Sequence, residues 1–310
     1  VTAERNKIKT AGNILVIRND KLGDFMLAWP AFALLKKQYP SCKLTALVPE
    51  YTRPIAELCT WIDEVIIDKQ HGSLVADVKY LTKIIKEKEF DISISLYSEL
   101  RTALALWFAG IPERIAPATK VAQFFYTNRL KQRRSRSEKP EYEYNLDLVK
   151  YFIQINGDVP AMPQTTPYLV FDKEEANKIR NDYRNKYQID TATKLVILHP
   201  GTGGSAINLS LKQYAELAGL LANKHNIHII ITSGPNELEF ASRLSSMLNI
   251  PHSIYHYPAR RSATSLRWQT LSDDRHRLAF MPKKHIDGND MHTIDMGTCA
   301  QKITELLDKN

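Results

Sequence analysis

Two loops of this sequence carry side chains that could do chemistry, and each follows a strand-like run. The first is Arg18-Asn19-Asp20-Lys21-Leu22-Gly23-Asp24. In an open parallel sheet, the loop after a strand is where ligands bind. A carboxylate there, Asp24, could act as general base toward a hydroxyl or orient it. It could equally do no more than cap the helix beginning beside it. Gly23 would allow a tight turn or the close approach of another group. The loop contains neither GxGxxG nor GxxxxGKS/T, so it is not a dinucleotide fingerprint or a Walker loop.

The second loop is His199-Pro200-Gly201-Thr202-Gly203-Gly204-Ser205. Three glycines bare backbone N–H groups, and Thr202 and Ser205 add hydroxyls. That composition suits a diphosphate resting near a helix N-terminus. A plain flexible loop is the alternative. A third feature is the basic stretch holding Arg129, Arg133, Arg134 and Arg136 with Lys131 and Lys139. It reads as a mobile polar loop that could meet phosphate, carboxylate, RNA or an anionic membrane surface. A merely solvated face would look the same. A second basic zone, Arg260, Arg261, Arg267, Arg275 and Arg277, has no diagnostic spacing. No compact Cys/His set suggests a metal site.

The elements that must hold these loops show a repeating rhythm. Asn13 to Arg18, NILVIR, is a continuous apolar run with β-branched residues, as a strand buried on both faces requires. Phe25 to Gln38 reads as one helix ending in Lys36 and Lys37 and stopped by Pro40. Strands are expected at 43–48, 64–67 and 91–96, and helices at 54–59, 74–87 and 100–108. In the second half, 195–199 reads as a buried strand and 227–232 as another. Helices are expected at 173–187, 210–223 (Ser210 as N-cap), 236–247 and 293–307. Strands alternating with helices at these lengths indicate right-handed βαβ units and parallel sheets. Pro160, Pro163 and Pro167 mark a linker, so domains of 1–165 and 166–310 are expected. The polar, basic stretch 257–292 lacks a strand pattern, as though a βαβ-sized piece were missing near 256/257.

Composition sets the outer limits. The 310 residues are 44% hydrophobic and 25% charged, which suits a globular chain with a substantial core. No run approaches the ~20 apolar residues of a membrane-spanning helix. The polar start, Val1 to Gly12, has no apolar stretch of the secretory type. The 42 basic residues exceed the 34 acidic ones by 8, which could attract anionic partners. Cys42, Cys59 and Cys299 form no CxxC pair, and a reducing compartment is expected.

Ile14 to Pro30, ILVIRNDKLGDFMLAWP, followed by LKKQYP, resembles the opening of the ADP-heptose:lipopolysaccharide heptosyltransferases, glycosyltransferase family 9. His199 to Leu217, HPGTGGSAINLSLKQYAEL, resembles that family's second-domain nucleotide loop. The likeness covers most of the chain up to about Asn249 and implies a GT-B architecture. Two Rossmann-like domains with parallel sheets would face a central cleft, the first holding the acceptor and the second the nucleotide sugar. It implies inverting sugar transfer to a lipopolysaccharide inner-core acceptor, without a metal in the chemical step and with no cofactor, ADP-heptose being a substrate. Asp24 falls on the family's general base. Arg18, Lys21, Gly23, Arg129, Arg133, Arg134 and Arg136 would face the acceptor. His199, Gly201, Thr202, Gly203, Gly204 and Ser205 would face the donor, their backbone N–H groups stabilising the departing diphosphate. A cytoplasmic monomer, peripheral on the inner face of the inner membrane, is expected, with no nucleic-acid partner.

Three departures qualify the likeness. A basic residue and an aromatic one usual in the second loop are replaced by Ile207 and Leu209. The family's later Asp-Ser/Thr-Gly-Pro-x-His stretch is not found, and its place coincides with the thinned region. A degenerate transferase, or a non-catalytic binder of anionic glycans, is therefore the alternative reading.

Overall fold

The structure, a computed structural model, describes residues 12–119, 121–201, 208–233, 237–251, 278, 280 and 290–308. The chain divides into two compact units, Val1–Leu169 and Val170–Asn310.

The first unit is built on six parallel strands: β1 (Asn13–Ile17), β2 (Lys43–Val48), β3 (Glu64–Ile67), β4 (Ile92–Ser95), β5 (Glu113–Pro117) and β6 (Asn128–Leu130). Their order is β3-β2-β1-β4-β5-β6, with β1 paired to β2 on one side and β4 on the other. Successive strands therefore move outward in one direction from β1, then cross back and move out in the other. The reversal lies between β1 and β4, the place in such sheets where the two connecting loops splay apart and leave a crevice.

Side chains of β1 alternate between the two faces. Ile14 and Val16 join a core with α2 (Trp29–Gln38) and α6 (Glu141–Ile155). Leu15 and Ile17 join a second core with α4 (Leu74–Glu87) and α5 (Leu100–Phe108). Both faces are covered, which explains the uninterrupted apolar run.

The expected helix over 25–38 is two helices, α1 (Leu22–Met26) and α2, broken at Leu27-Ala28. Pro30 supplies the reason: lacking an N–H, it fits the first turn of a helix better than its interior, and it lies in the first turn of α2. The helix α6 has no counterpart among the sequence expectations, yet it is the longest of this unit. Pro140 precedes it, Glu141 and Glu143 sit in its first turn, and Tyr144, Leu148, Val149, Phe152 and Ile153 form its buried face. The basic stretch is likewise more ordered than a mobile loop. It contains β6, pairing in parallel with β5, and a 3-10 turn at Arg134–Arg136. The Pro-rich segment docks on α2: Lys37 Nζ donates to the Met162 carbonyl (3.1 Å) and Ala161 N–H to Gln38 Oε1 (2.8 Å). A short helix α3 (Arg53–Glu57) precedes β3.

The second unit begins with α7 (Lys173–Lys186), followed by β7 (Lys194–Leu198), α8 (Leu211–Ala222), β8 (Ile227–Ile231), α9 (Leu238–Ser245) and, after residues not described, α10 (Met296–Leu307). β7 and β8 pair in parallel. Ser210 caps α8 in a reciprocal capping box with Gln213. The core lies between β8 and helices α8, α9 and α10. β7 is not a buried strand as its composition suggested: Leu198 and Val196 pack into that core, while Ile197, on the opposite face, is 57% exposed. The region around 256/257 and the basic zone 260–277 lie outside the described residues.

Replacing Phe152 with Ala removes a ring 1% exposed that packs 5.9 Å from the Tyr39 ring. A loss of about 3–5 kcal/mol is expected, read as a lowered urea midpoint by tryptophan fluorescence; no loss would mean that α6 does not pack as described.

Candidate functional site

Arg18 leaves the end of β1 and turns into the protein, 2% exposed. A buried guanidinium must satisfy its donors internally. Arg18 does so with groups from four parts of the chain. Its Nε and Nη2 grip Asp20 (2.8 and 3.0 Å), and Nη2 also donates to Asp24 Oδ1 (2.8 Å). Nη1 donates to Glu141 Oε1 and Asn145 Oδ1 (3.2 Å each) and to the Leu96 carbonyl after β4 (3.4 Å). Glu141, 1% exposed, is shared with Arg134 (2.7 Å), which also reaches the Leu96 carbonyl (3.0 Å). The cluster thus straddles the β1/β4 crevice and fixes α1 and α6 against it.

Asp24 is the third residue of α1. The helix has no side-chain cap bond at its N-terminus, so Asp24 is not there to cap. Its Oδ1 is held by Arg18, while Oδ2 takes part in no hydrogen bond among the described residues. Burial pushes the carboxyl up from 3.8 to about 6, against the pull of Arg18 and with the push of Asp20 and Glu141. Burial also works against the Arg18 cation, but Asp20, Asp24 and Glu141 hold its pKa above the ordinary range. The result is an oriented carboxylate, charged at neutral pH, that is a better base than a solvated aspartate.

Several sequence expectations change here. Arg18 does not face an acceptor, because its three nitrogens are all bonded inside. Gly23 makes no tight turn: it lies within α1, without positive φ, and a Cβ there would meet nothing within 4 Å. Lys21 and Gly23 are both exposed, next to buried Asp24. Arg134 is bound to Glu141. Arg133 and Arg136 are exposed, the latter 3.6 Å from Glu138. Arg129 pairs in register with Ala116, which packs into the α4/α5 core, so it projects on the face opposite α6 and Glu141. Glu141, Asn145 and Asp20 belong to the site without any role expected from the sequence. The signal for the first two was present, in Pro140 followed by acids and a helical apolar stripe.

A second ionic group lies next to the first. Asn19 donates to Asp68 (2.6 Å), and Arg101 grips Asp68 through two bonds (2.6 and 2.5 Å) and Glu99 through one (2.7 Å). It locks the loops after β1, β3 and β4 together.

In the second unit, His199 follows β7, its Nδ1 lying 3.0 Å from Thr232 Oγ1 and 3.2 Å from the Thr232 carbonyl. Its Nε2 is 4.0 Å from Glu237. The Glu237 carboxylate lies where a Cβ on Gly201 would be, so any side chain there would have to displace it. Asn208 Nδ2 donates to the Pro200 carbonyl, and Tyr214 Oη donates to Asn208 Oδ1 (3.3 Å). These bonds pinch together the two ends of the glycine-rich loop. Thr202, Gly203, Gly204 and Ser205, with Ile207, lie outside the described residues.

The profile of glycosyltransferase family 9 (heptosyltransferase) matches residues 78–253, more than half of the chain. A Haemophilus influenzae protein whose glycosyltransferase name is provisional is 41% identical over 310 residues, covering 87% of this chain and 89% of the relative. The chain belongs to glycosyltransferase family 9. As a member it is a glycosyltransferase, moving a sugar from a nucleotide-sugar donor to an acceptor. Lipopolysaccharide heptosyltransferase 2 of Salmonella typhimurium is 24% identical over 240 residues, 76% of this chain and 67% of that one. The structure of the Escherichia coli ADP-heptose lipopolysaccharide heptosyltransferase II superposes with a TM-score of 0.72 at 17% identity, covering 96% of this chain and 99% of that one. The fold is accordingly the two-domain α/β GT-B architecture with parallel sheets.

Carboxyl 13C NMR should find Asp24 titrating near 6, and Glu141→Gln should lower that midpoint by removing a like charge and leaving Arg18 more fully to Asp24. A wild-type midpoint at the ordinary value would refute the burial argument. Stability follows from the sign of the shift. The folded state binds the extra proton between 3.8 and about 6, so the contribution of Asp24 falls as pH rises through that window and is flat above it. Asp24→Asn should abolish this slope in denaturation measured from pH 4 to 8.

Proposed function

We propose that this glycosyltransferase moves heptose from ADP-heptose to the inner core of a lipopolysaccharide, at the inner face of the inner membrane. The observation that carries the catalytic part is Asp24: one carboxylate oxygen is fixed by a buried arginine and the other is unbonded among the described residues. The heptose and lipopolysaccharide parts draw support from the named relatives and from the LGD-centred motif. Among the described residues no helix is long and apolar enough to cross a membrane.

In this reading the acceptor hydroxyl approaches Oδ2 of Asp24. As its oxygen forms a bond to the anomeric carbon, its proton passes to the carboxylate. The bond from that carbon to the diphosphate oxygen breaks, and ADP leaves with the electron pair, inverting the anomeric centre. Arg18 does not touch substrate; it keeps Oδ1 fixed, so the carboxylate meets the hydroxyl in one orientation. Lys21, Arg133 and Arg136 are the exposed cations assigned to an anionic acceptor, while Arg134 braces Glu141. In the second unit the 201–205 backbone is assigned to the diphosphate. Glu237, beside Gly201 and His199, is suited by its charge to hydroxyls of the donor rather than to phosphate.

Asp24→Asn should lower kcat by about 10²–10⁴-fold while leaving ADP-heptose affinity, measured calorimetrically, within about threefold, since the substitution removes a base and not a donor contact. Full turnover by the variant would eliminate Asp24 as the base. An active enzyme indifferent to ADP-heptose but using another nucleotide sugar would refute the heptose assignment alone.

A further inference from the structure

Helix α5 has an unusual outer face. Its sequence, LRTALALWF, turns Arg101 and Thr102 inward to the Asp68–Glu99 group and buries Ala103, Ala105 and Leu106. What remains outside is Leu100 (40% exposed), half-buried Leu104, Trp107 (49%) and Phe108 (56%). These residues recur at helical spacing, so they form one stripe along the helix. No charged residue of α5 is exposed. The 3-10 turn Val121–Phe125 packs beside it, with Phe125 and Phe108 both against the Trp107 ring (5.7 and 4.9 Å between centroids). That turn leaves Val121 and Phe124 64% and 73% exposed. Large apolar side chains this exposed and this contiguous mark an interaction surface.

Both margins of the stripe are basic. On one side lies α4, packed on the same sheet face. Its exposed side presents Lys79, Lys83 and Lys86 at helical spacing, and none of them pairs with an acid among the described residues. Of the two acids of α4, Asp77 is buried and only Glu87 is exposed. On the other side is the sheet edge, where exposed Arg129 projects on this face. A second copy meeting this face with the same face would bring the lysines of α4 or Arg129 against cations of its own kind. A surface of anionic headgroups over acyl chains complements both parts at once: aromatics enter the interface while flanking lysines meet the headgroup charge.

We propose that the face formed by α4, α5 and the Val121–Phe125 turn docks on an anionic lipid bilayer, with Leu100, Trp107, Phe108 and Phe124 entering the interface and Lys79 and Lys83 lying along the headgroups. This deepens the reading of a lipid-linked acceptor and rests on it for its purpose, though not for its observations.

The test is sedimentation of the full chain with vesicles of phosphatidylglycerol and phosphatidylethanolamine, or of phosphatidylcholine alone, at low and high salt. The expected result is binding to the anionic vesicles, weakened by salt, and little to the neutral ones. Phe124→Glu, and separately Lys79→Gln with Lys83→Gln, should each reduce partitioning by roughly tenfold without lowering the melting temperature. Arg133→Gln with Arg136→Gln should change it by less than about threefold, if the face and not the basic loop is the anchor. Binding that ignores Phe124 and the lysines, binding equal on both vesicle types, or a dimer dissolved by Phe124→Glu would each overturn the proposal. Phe124→Glu should still turn over a soluble, delipidated acceptor at the wild-type rate. An inactive protein that docks as described would sink the transfer reading and leave the docking surface standing.

Discussion

A guanidinium taken out of water is tolerated only with its charge and its donors answered inside the protein, and Arg18 is 2% exposed. The answer comes from Asp20 in its own loop, Asp24 in α1, and Glu141 and Asn145 in α6, with the Leu96 carbonyl from the neighbouring strand. Satisfying one cation therefore fixes the entry angle of α1, the docking of α6 and the spacing of the β1 and β4 loops. The next residue, Asn19, ties in the other ionic group, centred on Asp68 and Arg101. Two adjacent residues at the end of one strand thus bind the elements on both faces of the sheet.

The same arrangement decides what Asp24 can do. An aspartate buried beside an arginine of its own would be a weak base, because the cation would favour its charged form strongly. Here the cation is divided among three carboxylates, and burial outweighs its pull, leaving the carboxyl near 6. Orientation and basicity usually oppose each other, since the bond that holds a carboxylate also stabilises its charge. Sharing Arg18 relaxes that conflict: one oxygen is held and the group retains affinity for a proton.

Much of the framework was legible because it rests on local pattern. The limits of α4 and α5, the capped start of α8 at Ser210 and the parallel character of both sheets follow from spacing, caps and apolar runs. What escaped was long-range. Nothing within Arg18 to Asp24 reveals that the arginine points inward, because its partner Glu141 is 123 residues away. α6 is obscured by the cluster of arginines before it, which gives the approach the polarity of a loop, although Pro140 and the stripe from Tyr144 to Ile153 are marks of a helix. β7 shows the opposite case: an apolar run indicates burial on both faces only when both are covered, and one face of β7 is open enough to expose Ile197.

The outer stripe of α5 bears on how much of a sequence the fold explains. The inner residues Ala103, Ala105 and Leu106 are small or aliphatic and suffice to seat the helix on β1 and α4. Arg101 and Thr102 anchor its first turn through Asp68 and Glu99. Neither task calls for Leu100 or Phe108, which the fold leaves 40% and 56% exposed, so much of their apolar surface stays in water. A helix that needed only to fold would carry lysine or glutamate at such places, as α4 does at Lys79 and Lys83 on the same face of the same sheet. α4 also exposes Leu74 and Val75 in its first turn, but beyond that turn its outer side carries lysines, whereas α5 has no exposed charge along its length; the core does not demand that difference, and docking on an anionic surface gives it a cause outside the chain.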